Sequence, residues 1–317
     1  MNFKKLFGTL IALVFVVTMT SATFAQKAEL PEGVVPLTWK PSPQHLAIQT
    51  DEARKLYTRI KKDDYPSMKE LKKSPVVAQL DALSSYYFQL YGNTADINTP
   101  ERQELREKVL QEFLNIGSAR KIYDETAKRY KYVYEGSLNK DYQMTLVLGL
   151  PSSGKSTVYT DPASEKTGAF ILDCDVIKTL LPEYQESYGG AGDAVHLESF
   201  NIMDKAMESF LTGEMKGTNI ILPIVAPDFD ELTNKYIKPF EAAGYEVRAV
   251  YVDVPENISF ARNIARQLES GRVFRSAIAA SFGNKPKKVY NKLKNKINSK
   301  GNPYGMLIIK NSKGRKM

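Results

Sequence analysis

"GLPSSGKST", Gly149 to Thr157, decides the fold. It fits Gly-x-x-x-x-Gly-Lys-Ser/Thr, in which glycines let backbone N–H groups close around phosphate oxygens and the following helix adds positive potential at its N-terminus. The context fits too: the apolar run "MTLVLG" precedes the loop, and residues able to start a helix follow it. The expectation is an ATP site lined by Gly149, Ser152, Ser153, Gly154, Lys155, Ser156 and Thr157. Lys155 reaches the β- and γ-phosphates there, and Ser156 binds Mg²⁺.

Outward from the loop, "AFILDCD", "TNIILPIV" and "YEVRAVYVDV" are short β-rich runs. Helical patterns lie between them, such as 197–216 and 229–243. Strands alternating with helices predict an α/β fold, a P-loop NTPase/kinase-like parallel sheet with flanking helices. The run "YGMLIIKNSKG" near the end reads as one more strand, whose place in the sheet spacing does not assign.

Two further stretches carry chemistry. In "ILDCDVIKTLLPEY" the strand ends at Asp173, and Asp175 sits where a helix begins. That is the carboxyl edge of the sheet, where open α/β folds bind ligands. Asp175 can accept the proton of an attacking hydroxyl; a helix N-cap would also account for it. Asp173 is the alternative Mg²⁺ partner, and Cys174 is expected to pack. In "RNIARQLESGRVFR", Arg262 and Arg266 share a helix face, and Arg272 and Arg275 follow a glycine able to end that helix. Planar guanidinium groups suit a transferring phosphate, and a solvated basic face is the other reading.

These elements, in this order and with "GYEV" before the strand that precedes the arginine helix, resemble the zeta-toxin family of P-loop kinases over about residues 140–290. Asp175-Val-Ile-Lys178-Thr-Leu-Leu-Pro182-Glu-Tyr184 is similar to that family's Asp-x-x-Arg/Lys-x-x-x-Pro-x-aromatic segment. The resemblance implies that Asp175 is the base for a substrate hydroxyl and that Lys178 lies with the substrate. It also implies that Arg266 and Arg272 touch phosphate. "YGGAGDAVHLES" resembles a zeta-like subfamily segment and implies that His196 and Glu198 lie near substrate, although a helix-start residue explains His196 as well. One departure stands out: Leu222, Pro223 and Ile224 replace the Glu-Gly-Thr of the best-known zeta toxins, so the substrate pocket is altered.

The expected activity is an ATP- and Mg²⁺-dependent phosphotransferase acting on a small-molecule hydroxyl. A UDP-amino sugar such as UDP-N-acetylglucosamine is the acceptor the resemblance implies, with an antitoxin or immunity protein as partner. The alternatives are a nucleic-acid 5′-hydroxyl kinase and an exported, non-catalytic nucleotide-fold binding protein.

Before this domain, Lys4 and Lys5 precede an uncharged apolar run from Leu6 to about Met19, and small residues end at Ala25. That is the order of a secretory signal peptide over residues 1–25 and predicts export to the periplasm or beyond, with an uncleaved membrane anchor as the alternative. Residues 26–49, with Pro31, Pro36, Pro41 and Pro43, read as a linker. Residues 50–139 read as a helical region, with Leu80, Leu83, Tyr87 and Leu90 as one stripe. Its tyrosine-rich stretches "SSYYFQLYG" and "RYKYVYEG" are expected to pack rather than stack on bases.

The chain has 317 residues, 43% apolar and 25% charged, which suits one or two globular domains. Its net charge is +8, yet eleven Lys and Arg and no acid lie from Lys285 onward. Taking those eleven from +8 leaves −3 for residues 1–284. The basicity belongs to a C-terminal tail, assigned to residues 291–317, which suits an anionic partner or simply keeps the chain soluble. Cys174 is the single cysteine, so there is no disulfide partner within the chain, and two histidines make a zinc site improbable.

Overall fold

The computed structural model describes residues 30–32, 34–92, 98–117, 120–124, 129–133, 138–225 and 228–312. Its first elements are α1 (Asp51–Lys61), α2 (Met68–Lys72), α3 (Pro75–Tyr91) and α4 (Pro100–Gly117). An antiparallel hairpin of β1 (Arg120–Asp124) and β2 (Arg129–Val133) follows. Next come β3 (Gln143–Gly149), α5 (Asp161–Thr167), β4 (Phe170–Ile171), α6 (Cys174–Leu180), α7 (Pro182–Glu186), α8 (His196–Leu211) and β5 (Ile220–Ile224). The chain continues through α9 (Phe229–Leu232), α10 (Lys238–Ala242), β6 (Glu246–Asp253), α11 (Glu256–Ser270), α12 (Ser276–Ser281), α13 (Lys285–Leu293) and β7 (Gly305–Lys310).

Five strands form an all-parallel sheet in the order β4-β5-β3-β6-β7. β3 is central because both of its faces are apolar, the mark of a parallel strand covered on each side. Met144, Leu146 and Leu148 join the larger core with Phe113, Phe170 and Phe210, while Val147 faces the opposite layer with Ile221 and Val252. β5 carries Pro223, a residue that a central strand tolerates poorly. Here the odd-numbered residues of β5 face β4, since Phe170 and Leu172 donate to the carbonyls of Asn219 and Ile221. β4 ends at Ile171 and pairs with Ile220 and Ile221, so Pro223 lies beyond the ladder between these two strands. β7 takes the place left open by sequence, at the edge beside β6. The segment expected to be a tail is therefore partly sheet.

Two expectations about the N-terminal part need correction. The helical reading extends to residue 139, but 120–124 and 129–133 pair as antiparallel strands. Arg129-Tyr130-Lys131-Tyr132-Val133 alternates polar and aromatic residues with period two, which favours a strand over a helix. Leu90 also leaves the expected stripe and is exposed, whereas Leu80, Leu83 and Tyr87 are buried.

The proline-rich stretch is a docked strap. Val34, Leu37, Leu46, Ala47 and Ile48 are buried in a second core with α1, α3 and α11. Leu37 N–H donates to the Tyr87 hydroxyl at 2.6 Å, and Ala47 N–H donates to the Leu268 carbonyl at 2.7 Å. Extended backbone without helical periodicity looks like a linker in sequence; here its hydrogen bonds go to side chains and helix ends. Ile48→Ala is therefore expected to cost about 2–4 kcal/mol in urea unfolding. A freely solvated linker would show no change.

The expected leader, residues 1–25, lies outside the described residues, and among the described residues no helix is long and apolar enough to cross a membrane.

Candidate active site

Gly149–Thr157 sits at the carboxyl end of β3 and enters a π turn at Ser156–Thr160 before α5. Ser152 and Gly154 adopt left-handed φ values of 54° and 87°. Gly149 has no room for a side chain, because a Cβ would lie 2.8 Å from Ser153 Oγ and 3.0 Å from the Val252 carbonyl. At Gly154 a Cβ would strike the amide nitrogen of Asn311. Lys155 Nζ folds back over the loop and donates to the carbonyls of Gly149 and Leu150 at 3.1 and 3.0 Å. Burial pushes this ammonium down to about 8, against the opposing pull of Asp173 and Asp175. Ser153 Oγ is buried with no hydrogen-bond partner, while Ser156 and Thr157 are exposed on the first turn. A desolvated cation and an orphaned hydroxyl inside a glycine-shaped loop fit a polyphosphate.

Facing Lys155 is the start of α6. Asp173 is the N-cap, accepting from Asp175 N–H at 2.9 Å, so the capping role weighed for Asp175 belongs to its neighbour. Asp175 is left to pair with Arg272, through Nη2, and with Lys178 at 3.2 Å. Burial would raise Asp175, but Arg272 and Lys178 together hold it well below the usual carboxylate range. Burial and the charge of Asp175 push Asp173 up to about 6. Burial opposes the Arg272 charge, and Asp175 more than offsets this, keeping the guanidinium above its usual value.

Arg266 stands at the open side of the cluster, lowered by loss of hydration and by Arg272 beside it. His196 lies at the mouth, its ring edge-on to Phe200. Partial loss of hydration, then the nearby Lys178, lowers its imidazole below the usual value. Ligand atoms of Asp173, Cys174 and Asp175 lie within 4.8 Å of one another. The two carboxylates suit a hard cation; burial raises the Cys174 thiol, which packs against the core as expected.

Glu198 does not join this group. It is fully buried, and its two oxygens accept from Arg102 and Arg106 of α4, with Arg106 Nε at 2.8 Å. Arg102 also pairs with Glu183 at 2.7 Å. The substrate role implied for Glu198 is thus replaced by a structural one, since no face of the carboxylate remains for a ligand. Arg262 and Arg275 also point elsewhere: Arg262 to Tyr65 and the Asn311 carbonyl, Arg275 to Asp193.

Several residues that sequence reasoning passed over support the site. Ser259, Asn263 and Gln267 of α11 are four apart and buried. Ser259 Oγ donates to the Pro151 carbonyl at 2.6 Å, Asn263 to Ser152 Oγ at 3.3 Å, and Gln267 to Asn263 at 2.8 Å. Gln267 in turn accepts from Phe274 N–H, which ties the phosphate loop to the strand of chain that carries Arg272. A polar i, i+4, i+8 row on an otherwise apolar helix face was the available signal. Asn311 donates to the Ser153 carbonyl at 2.7 Å from beyond β7, and no spacing in the sequence announces it.

Asp173 gives a signed stability prediction. Its folded pKa is raised, so the folded state holds an extra proton between about pH 4 and 6, and stability falls as pH rises through that window. Asp173→Asn keeps a capping side chain and removes the charge. It is expected to stabilise the ligand-free protein by about 1–2 kcal/mol at pH 7 and by nothing at pH 4. Melting curves at both pH values, repeated with Mg²⁺ and ATP, should show that gain together with a loss of the metal-dependent increment.

A family model described as Zeta toxin matches residues 129–303, over half of the chain and beginning at β2. No curated protein matches. Among solved structures, a chain of the AvrRxo1-ORF1:AvrRxo1-ORF2 complex with sulphate ions is 20% identical, with 56% of this chain and 52% of that chain covered and a TM-score of 0.38. Its complex with ATP gives 20%, 55%, 52% and 0.38 for the same measures. A chain from the PezAT chromosomal toxin-antitoxin system of Streptococcus pneumoniae gives 18%, 53%, 63% and 0.36. The chain thus spans about half the length of the first of these structures.

Proposed function

The chain belongs to the zeta toxin family, and from that premise we propose that it is a kinase moving the γ-phosphoryl group of ATP to a hydroxyl of a small molecule. One observation carries the reading: Asp175, freed of capping duty by Asp173, is paired with Arg272 directly opposite the phosphate loop. Ser156 and Asp173 would hold Mg²⁺, which supplies charge neutralisation along the phosphates. Lys155 leaves the carbonyls of Gly149 and Leu150 for phosphate oxygens, and Arg266 and Arg272 meet the charge that develops on the transferring group. As Arg272 turns to phosphate, Asp175 loses its strongest partner and becomes a better acceptor for the substrate hydroxyl. The bond between the γ-phosphorus and the bridging oxygen breaks, and a bond to the acceptor oxygen forms. ADP leaves, and the hydroxyl proton passes to Asp175 and then to water.

Acceptor identity follows from what the pocket lacks. The end of β5 offers half-buried Pro223 and Ile224 in place of a carboxylate and a hydroxyl, so the acceptor is gripped there by apolar contact. A UDP-amino sugar remains the acceptor class to try first, on the family resemblance alone. The N-terminal leader supports export, and delivery into another cell would return the enzyme to a compartment that holds ATP. A toxin of this kind needs an antitoxin or immunity protein where it is made.

The test is incubation with γ-labelled ATP, Mg²⁺ and a panel of UDP-sugars, nucleosides and 5′-hydroxyl oligonucleotides, with Lys155→Ala as control. Label on one small-molecule acceptor, lost in the control, is the expected result. Label on the oligonucleotides alone would move the function to nucleic-acid repair chemistry, and ATP that fails to bind would make the loop a structural relic.

A further inference from the structure

β7 closes the sheet on one side and is left with an open edge. Among the described residues its strand partner is β6, on one side alone. Met306, Leu307 and Ile308 are 46%, 47% and 44% exposed, and because consecutive strand residues point to opposite faces, apolar surface lies on both faces of the strand. Natural sheets rarely leave such an edge without a defence. Two defences are present. The register shifts between Ala249 and Val250, which bulges the strand at Met306, and lysines stand at both ends. At the start, Lys294 packs against Gly305, while the ammonium of Lys296 lies over the Phe229 ring. At the finish, Lys310 and Lys287 line one cleft at the carboxyl end of β6.

Three of the acids nearby are already engaged, and exposed Glu256 shares the cleft of Lys287 and Lys310. Asp253 holds Lys287, Glu246 holds Arg248 and Asn302, and Glu241 accepts from Ser299 N–H and the Tyr304 hydroxyl. The charge decides what can pair here. A second copy adding β7 to β7 would bring together two segments that each carry eleven Lys and Arg and no acid from Lys285 onward, and like charges repel. The leader of this chain carries Lys4 and Lys5 and no acid, so it has the same wrong sign. A lipid surface would cover one face of the strand and leave its outer N–H and C=O groups without partners. RNA phosphates would use the lysines and ignore the apolar strand between them.

We propose that the open edge of β7, over Leu307–Lys310, is a docking site for an extended, acid-rich segment of a partner polypeptide. The segment adds a sixth strand beside β7, with its apolar side chains on the face of Ile308 and its carboxylates on the other face and at its ends, toward the flanking lysines. Main-chain hydrogen bonds give such a contact affinity, and alternate side chains give it selectivity.

The probe is a fluorescein-labelled nonapeptide, Glu-Val-Glu-Val-Thr-Val-Glu-Val-Glu, followed by anisotropy on the purified protein. Saturable binding is expected, weakened at least about tenfold by Ile308→Glu and similarly by about 0.5 M salt. Ile308 is half-exposed, so an unchanged melting curve will confirm that the variant folds. A peptide N-methylated at alternate residues should not bind, because strand pairing needs its N–H groups. Equal binding of the N-methylated peptide, or of one with Lys for Glu, would overturn the proposal. So would a dimer in light scattering, or binding to phosphatidylglycerol vesicles or oligouridine, that Ile308→Glu abolishes while the acidic peptide fails to bind. None of these readings needs kinase activity.

Discussion

Asp175→Asn lowers phosphoryl transfer by about 10²–10⁴-fold while ATP binds as before, if Asp175 acts on the acceptor hydroxyl. The substitution is clean because the α6 cap is made by Asp173, whose carboxylate accepts from the backbone of residue 175 and not from its side chain. What changes is the partner of Arg272. With Asn in place, Arg272 loses its anionic partner in the free site and meets nucleotide phosphate with no ion pair to break, so ATP affinity should hold or improve. Calorimetric titration with ATP, set beside label transfer to the acceptor, reads the two effects separately. Equal loss of both would show instead that Asp175 holds the nucleotide. The pH profile adds a second check. Asp175 stays ionised through the ordinary carboxylate range, so an acid limb near pH 6 in the rate belongs to Asp173 and should move to lower pH in the Asn variant, which removes the Asp175 charge that helps to raise it.

The phosphate loop and the aspartate were legible because their chemistry is local: a turn of nine residues and a helix N-cap two residues before Asp175 each specify their own geometry. The arginines were half legible. Arg266 and Arg272 flank a helix end that Gly271 makes in the left-handed region, at φ 71°, so both can face the site. Arg262, on the same helix, is turned to Tyr65 instead. What could not be read is what partners across the fold supply. Gly190 looks like part of a substrate segment, yet a Cβ there would strike the ring of Tyr87 on α3, which makes this glycine a landing place for the helical region. The strap reads as a linker because extended chain has no period of its own, and Asn311 reaches the phosphate loop from a segment that resembles a basic tail. Glu198 was read toward the substrate because its neighbour His196 does lie at the site; the two cations that claim it are about 90 residues earlier.

Glu198→Ala tests that last correction and carries the largest expected cost in stability. The carboxylate is wholly buried between Arg102 and Arg106, whose side chains are only 11% and 15% exposed. Removing it takes from Arg102 and Arg106 the buried carboxylate they share, and breaking a buried pair in this way costs about 3–5 kcal/mol. For a chain of this size that is a fall in melting temperature of about 6–20 °C. Glu198→Gln keeps the acceptor oxygen and loses the charge, so it should fall between. The helical consequence is specific: α4 is joined to α8 through Glu198 and to α7 through Glu183, so the variant should expose α4 to hydrogen exchange before the sheet. A substrate contact behaves in the opposite manner, raising KM with the fold intact. Replacing the group together, Arg102→Met, Arg106→Leu, Glu183→Leu and Glu198→Leu, should restore much of the lost stability, because the penalty lies in the charges left behind and not in the missing contact. If the single variant melts with the parent and the fourfold one does not recover anything, the ion cluster is not what holds α4 in place.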